Sequence, residues 1–224
     1  MDVDPLVTKD SFVAIADLID KNYSGSIADV GCASGAFVNY LSQRFAEAKI
    51  IGIDHDKELV NKALINFPNL DFRKADVTEV NSNADKFDII TMLGVLGIYD
   101  DYASVLSNVL KWVKPGGRLI LHNMISASDI DVYIKYKPSS NNFCIDSLES
   151  GWNIISEKSL RLVCEQNNAT LIECKDFEIN VDLQPNLDDP LRSWTELEAD
   201  GSRSIYNALH IRQPQKIAVI KKLA

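Results

Sequence analysis

The fold of this 224-residue chain is indicated most clearly by one segment, Ile27-Ala-Asp-Val-Gly-Cys-Ala-Ser-Gly-Ala-Phe37. A short apolar strand is expected over 26–30, and helical periodicity begins at Gly35. Gly31 permits a sharp turn after the strand because it has no Cβ. Gly35 lets either a ligand or the neighbouring strand approach the start of the helix, where the first N–H groups have no partner within the helix. The segment therefore predicts a strand–turn–helix unit with a polar ligand at the turn.

The rest of the chain alternates between strand and helix patterns. Further strands are expected over 49–53, 70–74, 87–92, 118–122, 170–179 and 215–221, and helices over 35–45, 56–67, 100–113 and 156–167. Within 8–23, four apolar residues recur at helical spacing: Phe12, Ile15, Ala16 and Ile19. Strands that alternate with helices predict a doubly wound α/β fold, in which a mostly parallel sheet carries helices on both faces.

Acidic residues stand at the ends of three expected strands. Asp29 lies two residues before Gly31, Asp54 ends the second strand and Asp76 follows the third. The carboxyl ends of parallel strands meet at one edge of the sheet, where ligands bind in open α/β folds. Asp54 could accept both hydroxyls of a ribose, and Asp29 suits an ammonium group better than a pyrophosphate; Asp54 and Asp76 could also be helix N-caps. The dinucleotide fingerprint G-x-G-x-x-G is absent, since positions 33 and 36 are alanine, so NAD is disfavoured.

This constellation resembles the class I S-adenosylmethionine-dependent methyltransferases of the small-molecule type, over roughly 27–124 and more loosely in the last two strands. Residues 29–35 resemble the family's glycine-rich motif, 87–96 resemble its fourth-strand motif, and 113–121 resemble its turn and fifth strand. The resemblance implies a seven-stranded Rossmann-like sheet whose antiparallel last strand is supplied by 215–221. It also implies S-adenosyl-L-methionine as the cofactor.

The resemblance assigns the cofactor site residue by residue. The glycine-rich motif would hold the amino-acid end of the cofactor, Asp54 its ribose, and the residues after the second and third strands its adenine. The implied binding residues are Asp29, Gly31, Cys32, Gly35, Asp54, His55, Asp76, Val77 and Leu93.

Two residues are candidates for catalysis. His122 is expected to end the fifth strand at the ligand edge, where it could act as a base. Tyr99 follows the fourth strand and could line the methyl-transfer pocket or support the sulfonium through its ring face. Each has an alternative: His122 could be bonded to the backbone, and Tyr99 could pack at the start of the next helix.

The sequence departs from the family at the expected position of a base. Many small-molecule members carry Glu-His shortly after the Val-Leu of the fourth strand, whereas Val95-Leu96 is followed here by Gly97-Ile98-Tyr99. The Asn/Asp-Pro-Pro-Tyr signature of amino-group methylation is also absent. We therefore expect a methyltransferase that acts on a small molecule, with O-methylation of a sugar or another metabolite as one form. A nucleic-acid or protein methyltransferase and a catalytically silent cofactor-binding module stay open as alternatives.

Composition narrows the class of partner. Lys and Arg number 23 against 32 Asp and Glu, and the formal net charge of −9 disfavours nucleic acid. The four cysteines form no CxxC pair and the three histidines show no ligand spacing, so no metal is expected. No signal-peptide pattern and no long apolar run is present, which favours a cytoplasmic protein without a membrane segment. We expect one methyltransferase domain over 1–224, with an N-terminal helix over 8–23 and lid or substrate insertions over 123–151 and 180–214.

Overall fold

The computed structural model describes residues 8–79, 86–137, 139, 145, 148–186, 188–189 and 191–224. Seven strands form the main path of the central sheet: β1 Ser26–Val30, β2 Lys49–Asp54, β3 Asp71–Lys74, β4 Phe87–Leu93, β5 Val113–Ser126, β6 Ala169–Asp176 and β7 Gln215–Lys222. Their order is β3-β2-β1-β4-β5-β7-β6. Strands β1 to β5 pair in parallel, whereas β7 is antiparallel to β5 and to β6. The predicted doubly wound, mostly parallel sheet with an antiparallel last strand is confirmed.

Within the described ranges, five helices cover this sheet: α1 Asp10–Ala16, α2 Ala36–Arg44, α3 Lys57–Asn66, α4 Tyr102–Trp112 and α5 Glu157–Gln166. A 3₁₀ turn, Leu96–Ile98, follows β4. Helices α3, α4 and α5 begin after Asp56, Asp101 and Ser156, whose side chains accept backbone N–H groups of the first turn. Such caps stabilise a helix by about 0.5–2 kcal/mol each.

Neighbouring residues of the inner strands pack against helices on opposite faces of the sheet. Ile27 in β1 and Ile89 in β4 belong to the cluster formed with α1 and α2. Ala28 and Ile90, the next residue in each strand, belong to the cluster formed with α4 and α5. This alternation follows from the pleat of a strand, and it buries both faces of the sheet.

Two elements differ in length from their predicted ranges. The first helix ends at Ala16, and the chain continues in turns, although Ile19 is buried with the predicted apolar face. Strand β5 runs four residues beyond 122 to Ser126, into a polar stretch that was expected to be irregular. The extension forms because it has neighbours on both sides: the start of β7 pairs with 123–124, and Ile155–Ser156 pairs with 125–126.

Two long connections carry small antiparallel pairs of their own. Between β6 and β7, Trp194–Leu197 pairs with Arg203–Tyr206. Between β5 and α5, Lys135–Tyr136 pairs with Glu149–Ser150. Across the described ranges, every helix is too short or too polar to traverse a lipid bilayer.

Candidate active site

The turn after β1 has the backbone conformation that the glycine-rich segment predicts. Gly31 and Gly35 adopt φ angles of 79° and 88°. A Cβ on Gly31 would lie 2.2 Å from Val95 Cγ2, so only glycine fits there without a shift. A Cβ on Gly35 would lie 2.7 Å from the ring of Phe72 in β3. The sequence left two reasons for glycine at position 35, the approach of a ligand or that of a neighbouring strand. The structure shows a side chain of β3 approaching it.

Several amide groups of this turn donate within the protein. The N–H groups of Gly31 and Cys32 donate to the carbonyl of Ile53 at 2.7 and 3.1 Å, and the N–H of Ala33 donates to the Asp54 carboxylate at 2.9 Å. Cys32 is buried, and this burial raises the pKa of its thiol well above the ordinary value. The turn is thus fastened to the end of β2, and Cys32 packs beneath it.

Asp54 is the central acid of what we call the carboxylate crevice, defined by Asp29, Asp54 and Asp76 at the ends of β1, β2 and β3. Its carboxylate is 6% exposed and accepts the N–H of Ala33 on one oxygen and that of Asp56, at 3.0 Å, on the other. Each carboxylate oxygen has two lone pairs, so capacity for a further hydroxyl remains on both.

Asp29 lies beneath the surface of the crevice. It is 3% exposed and accepts a hydrogen bond from Thr91 Oγ1 at 2.8 Å. Burial raises the pKa of Asp29 to about 7; the Thr91 bond opposes this rise and the charge of Asp54 adds to it. Asp29 and Asp54 therefore lie close enough for the charge of one to affect the other.

Asp76 faces the same crevice from the end of β3. It accepts hydrogen bonds from the hydroxyl and the N–H of Thr78 at 2.7 and 2.8 Å, which lower its pKa, and the charge of His55 lowers it further. His55 is 63% exposed, and its Nδ1 lies 3.3 Å from Asp54 Oδ1. The structure thus brings His55, Asp54 and Asp76 together, with Val77 buried below them.

Tyr99 also faces this crevice. Partial burial and the nearby charges of Asp76 and Asp54 raise the pKa of its phenol, which therefore stays protonated near pH 7. Leu93 is half-buried and is the last residue of β4. Tyr99 therefore lies near Asp54 and Asp76, the acids at the ends of β2 and β3.

A cavity of about 270 Å³ begins at Gly94 and Gly97, which directly follow β4. We call it the amide-lined cavity. Its walls come from the ends of β4 and β5, from 152–153, and from two parts of the last insertion, 191–193 and 207–215. The wall includes the side chains of His122, Trp152, Asn153, Arg192, Asn207 and Gln213.

Amide side chains hold the walls of this cavity in place. The side-chain oxygens of three residues accept hydrogen bonds from within the protein: Asn123 from Gly97 N at 3.1 Å, Asn153 from Ile134 N at 2.9 Å and Gln213 from Ser193 Oγ at 2.9 Å. Because each bond joins segments distant in sequence, the amides fix the shape of the cavity.

His122 presents an unsatisfied atom at this cavity. Its Nε2 is buried and has no hydrogen-bond partner in the described part of the chain. Its ring packs edge-on against Phe177, with centroids 4.6 Å apart. Burial lowers the pKa of His122 to about 4, so the imidazole is neutral near pH 7. One expected alternative was a hydrogen bond from His122 to the backbone. Nε2 makes no such bond within the described residues.

Sequence reasoning missed most residues of the cavity wall. Trp152 lines the cavity, and its backbone is left-handed (φ 54°). Arg192 lies in the insertion 180–214, which was expected to form a lid or bind substrate, but the sequence did not predict that its side chain lines the cavity. Asn153, Asn207 and Gln213 had no sequence signal, because five separate segments converge here only in the folded chain.

The sheet order, the glycine turn and the strand-end acids together define the class I methyltransferase domain. A family model described as a methyltransferase domain matches residues 9–174, and the chain belongs to this family. It is 29% identical to the putative methyltransferase 235L of Invertebrate iridescent virus 6 over 43% of the chain, and 29% identical to trans-aconitate 2-methyltransferase of Deinococcus radiodurans over 46%. These matches span 36% and 39% of the two relatives. The structure of YcgJ from Bacillus subtilis shares the fold, with a TM-score of 0.60 and 14% identity over 96% of this chain and 98% of that one.

The crevice fits S-adenosylmethionine, the cofactor of this class. Carboxylates complement the ammonium and sulfonium charges of the cofactor and accept hydrogen bonds from its ribose hydroxyls. Gly94 adopts φ 69°, and nothing lies within 4 Å of the position that a Cβ would occupy. Open space is therefore present at Gly94, directly after β4.

Proposed function

We propose that the protein is an S-adenosylmethionine-dependent methyltransferase that methylates a small metabolite bound in the amide-lined cavity. The observation that carries this proposal is the position of the cavity, which begins at Gly94 directly after β4, the strand that pairs with β1. Its volume of about 270 Å³ is near the lower end of ordinary ligand pockets, so a small molecule fits better than a polymer. The similarity to a methyltransferase named for trans-aconitate supports a small acceptor.

When bound, S-adenosylmethionine supplies a methyl group already activated by its sulfonium. In our proposal Asp54 accepts hydrogen bonds from the ribose, and the turn at Gly31 with Asp29 beneath it holds the amino-acid end. The adenine side is formed by His55, Asp76 and Val77, and Leu93 borders the passage to the cavity.

The chain then has to align the acceptor and exclude water. The insertion segments 191–193 and 207–215 close the outer wall of the cavity, and this is the role we propose for them. Holding two reactants in line can contribute as much as about 7–11 kcal/mol to lowering a barrier.

We propose that His122 forms a hydrogen bond to the acceptor. Its use as a general base stays a prediction; a pKa of about 4 makes the imidazole a weak base, because base catalysis is most efficient when the pKa lies near the working pH. The catalytic role of Tyr99 also stays a prediction, and we place its phenol at the cofactor side because of its proximity to Asp54 and Asp76.

A second cavity of about 500 Å³ is a weaker candidate for the acceptor. It lies against the ends of β5, β6 and β7 and is lined by charges of both signs, including Asp176, Arg203 and Lys216. Its described lining contains no residue from β1 to β4 or from the turns that follow them, whereas the amide-lined cavity begins at Gly94, the residue after β4.

The proposal is tested by calorimetric titration with S-adenosylhomocysteine and, separately, with NAD. We expect S-adenosylhomocysteine to bind and Asp54→Ala to weaken it by about 10- to 100-fold, since hydrogen bonds to a charged group contribute about 1.5–3 kcal/mol. Asp56→Ala is the matched control, because it removes a helix cap next to Asp54 but no crevice carboxylate. Tighter binding of NAD, or undiminished binding by Asp54→Ala, would overturn the proposal. Binding without turnover would leave the silent cofactor-binding module.

A further inference from the structure

The second cavity, of about 500 Å³, shares a wall with the amide-lined cavity. Gln213 and Gln215 line both of them. Phe177 lines the second cavity, and its ring packs against that of His122, which lines the amide-lined cavity. The function proposed above assigns no ligand to the second cavity, although it is the larger of the two.

Two cations in the lining of the second cavity are buried more deeply than the acids that pair with them. The side chain of Lys216 is 12% exposed, whereas that of its partner Asp176 is 76% exposed. The side chain of Arg203 is 20% exposed, whereas that of its partner Asp182 is 59% exposed. The other acid of the described lining, Glu178, is exposed as well. Water therefore screens the negative charges more than the positive ones, and the wall favours an anion.

Both buried cations have more hydrogen-bond donors than their ion pairs use. The ammonium of Lys216 has three N–H donors, and it contacts Asp176 Oδ1 at 2.8 Å. The guanidinium of Arg203 has five, of which its Nη1, bonded to Asp182 Oδ1 at 3.0 Å and to Thr195 Oγ1 at 3.4 Å, supplies two. A third cation of the lining, Arg212, is exposed. The wall therefore has donors for a ligand with several acceptor oxygens.

Ser204 adds a hydroxyl group that the protein leaves without a partner. It belongs to the strand Arg203–Tyr206, lines the second cavity and is buried. Its Oγ makes no hydrogen bond to any described residue. A buried hydroxyl without a partner is unfavourable, and the great majority of such groups are satisfied by protein or by a bound molecule. Its position in a cavity wall therefore indicates a contact with a ligand.

We infer that the second cavity binds the phosphate group of a small phosphorylated molecule, through Arg203, Lys216 and Ser204. A phosphate monoester carries a charge of about −1.5 to −2 near pH 7 and three strong acceptor oxygens, which matches two buried cations and a free hydroxyl. The fork of an arginine also suits phosphate geometry. A cavity of about 500 Å³ leaves room for the organic part of the molecule. The site is separate from the cofactor crevice and from the acceptor cavity, and the inference does not depend on the function proposed above.

The ligand class is tested by calorimetric titration of the full chain with inorganic phosphate, glycerol phosphate and acetate. We expect both phosphates to bind, and glycerol phosphate more tightly because its organic part also contacts the wall. Acetate should bind more weakly than either, since it carries a single charge and two oxygens. Tighter binding of inorganic phosphate would overturn the organic part of the inference. Equal binding of acetate would overturn the choice of phosphate, and no binding of the three probes would overturn the site.

The residues of the site are tested by titrating variants with glycerol phosphate. Lys216→Met should weaken binding by about 10- to 100-fold, as expected for a hydrogen bond to a charged group. Ser204→Ala should weaken it by about 3- to 10-fold and leave the free energy of unfolding without ligand undiminished, because the hydroxyl makes no bond that would be lost. Ser204→Ala therefore keeps the test valid if Lys216→Met does not fold. Undiminished binding by Ser204→Ala and by folded Lys216→Met would overturn the site.

Two further variants show where the phosphate binds. Lys175→Met is the matched control for Lys216→Met, because Lys175 also pairs with an acid, Glu173 at 3.4 Å, but is absent from the described lining. Arg192→Met alters the wall of the amide-lined cavity instead. Both variants should bind glycerol phosphate as the unaltered protein does. A loss in Lys175→Met equal to that in Lys216→Met would show attraction by overall charge and overturn the site. A loss confined to Arg192→Met would place the phosphate in the amide-lined cavity, which would overturn this inference and leave the proposed function standing.

Discussion

The carboxylate crevice and the amide-lined cavity both lie at the carboxyl ends of parallel strands but are built in different ways. The crevice takes its three acids from the ends of three successive strands, within 29–76, and is negative. The cavity takes its wall from five segments spread over 94–215, and Arg192 is its permanent charge among the described residues. The contrast teaches that the cofactor side follows from the local order of the chain, whereas the acceptor side depends on insertions. Changes in the insertions can therefore alter the acceptor without altering the cofactor site.

The largest effect is expected at the turn that supports the crevice. Gly31→Ala should lower the free energy of unfolding by about 2–5 kcal/mol, because it adds about 1–2 kcal/mol of backbone strain at φ 79° and a contact of 2.2 Å with Val95. Urea denaturation measures the loss. Gly116→Ala is the control, since Gly116 has φ 78° but nothing within 4 Å of its Cβ position. Equal losses in the two variants would show that the contact with Val95 contributes nothing.

The crevice should also carry a pH-dependent cost that the cavity does not share. The folded protein keeps a proton on Asp29 up to about pH 7, whereas the unfolded chain releases it near pH 3.8. Unfolding between these values therefore releases a proton, and rising pH favours the unfolded state. Asp29→Asn should remove this slope and be more stable than the unaltered protein above pH 7, by an amount of the order of 2–4 kcal/mol. Denaturation curves that stay parallel across this range would contradict the burial of an ionisable Asp29.

The crevice was predicted from the sequence to a much greater extent than the cavity. The sequence predicted the strand, turn and helix around Gly31. It also predicted the acids at the strand ends, Asp29, Asp54 and Asp76, because each signal lies within a few residues of the strand that positions it. The wall containing Asn153 and Gln213 was not readable, because hydrogen bonds between distant segments create it. His122 lies between these cases: its strand-end position was predicted, but its orphaned Nε2 and low pKa result from burial by Phe177 and other tertiary neighbours.

His122 therefore gives the sharpest test on the cavity side. If it bonds the acceptor without removing a proton, His122→Asn should lower the rate of methyl transfer by about 3- to 10-fold, the amount expected for one hydrogen bond. A general base would contribute about 10²- to 10⁴-fold. The pH–rate profile of the unaltered protein should show no inflection near 6.5, because the pKa of His122 is about 4. A loss above about 100-fold would restore the predicted base.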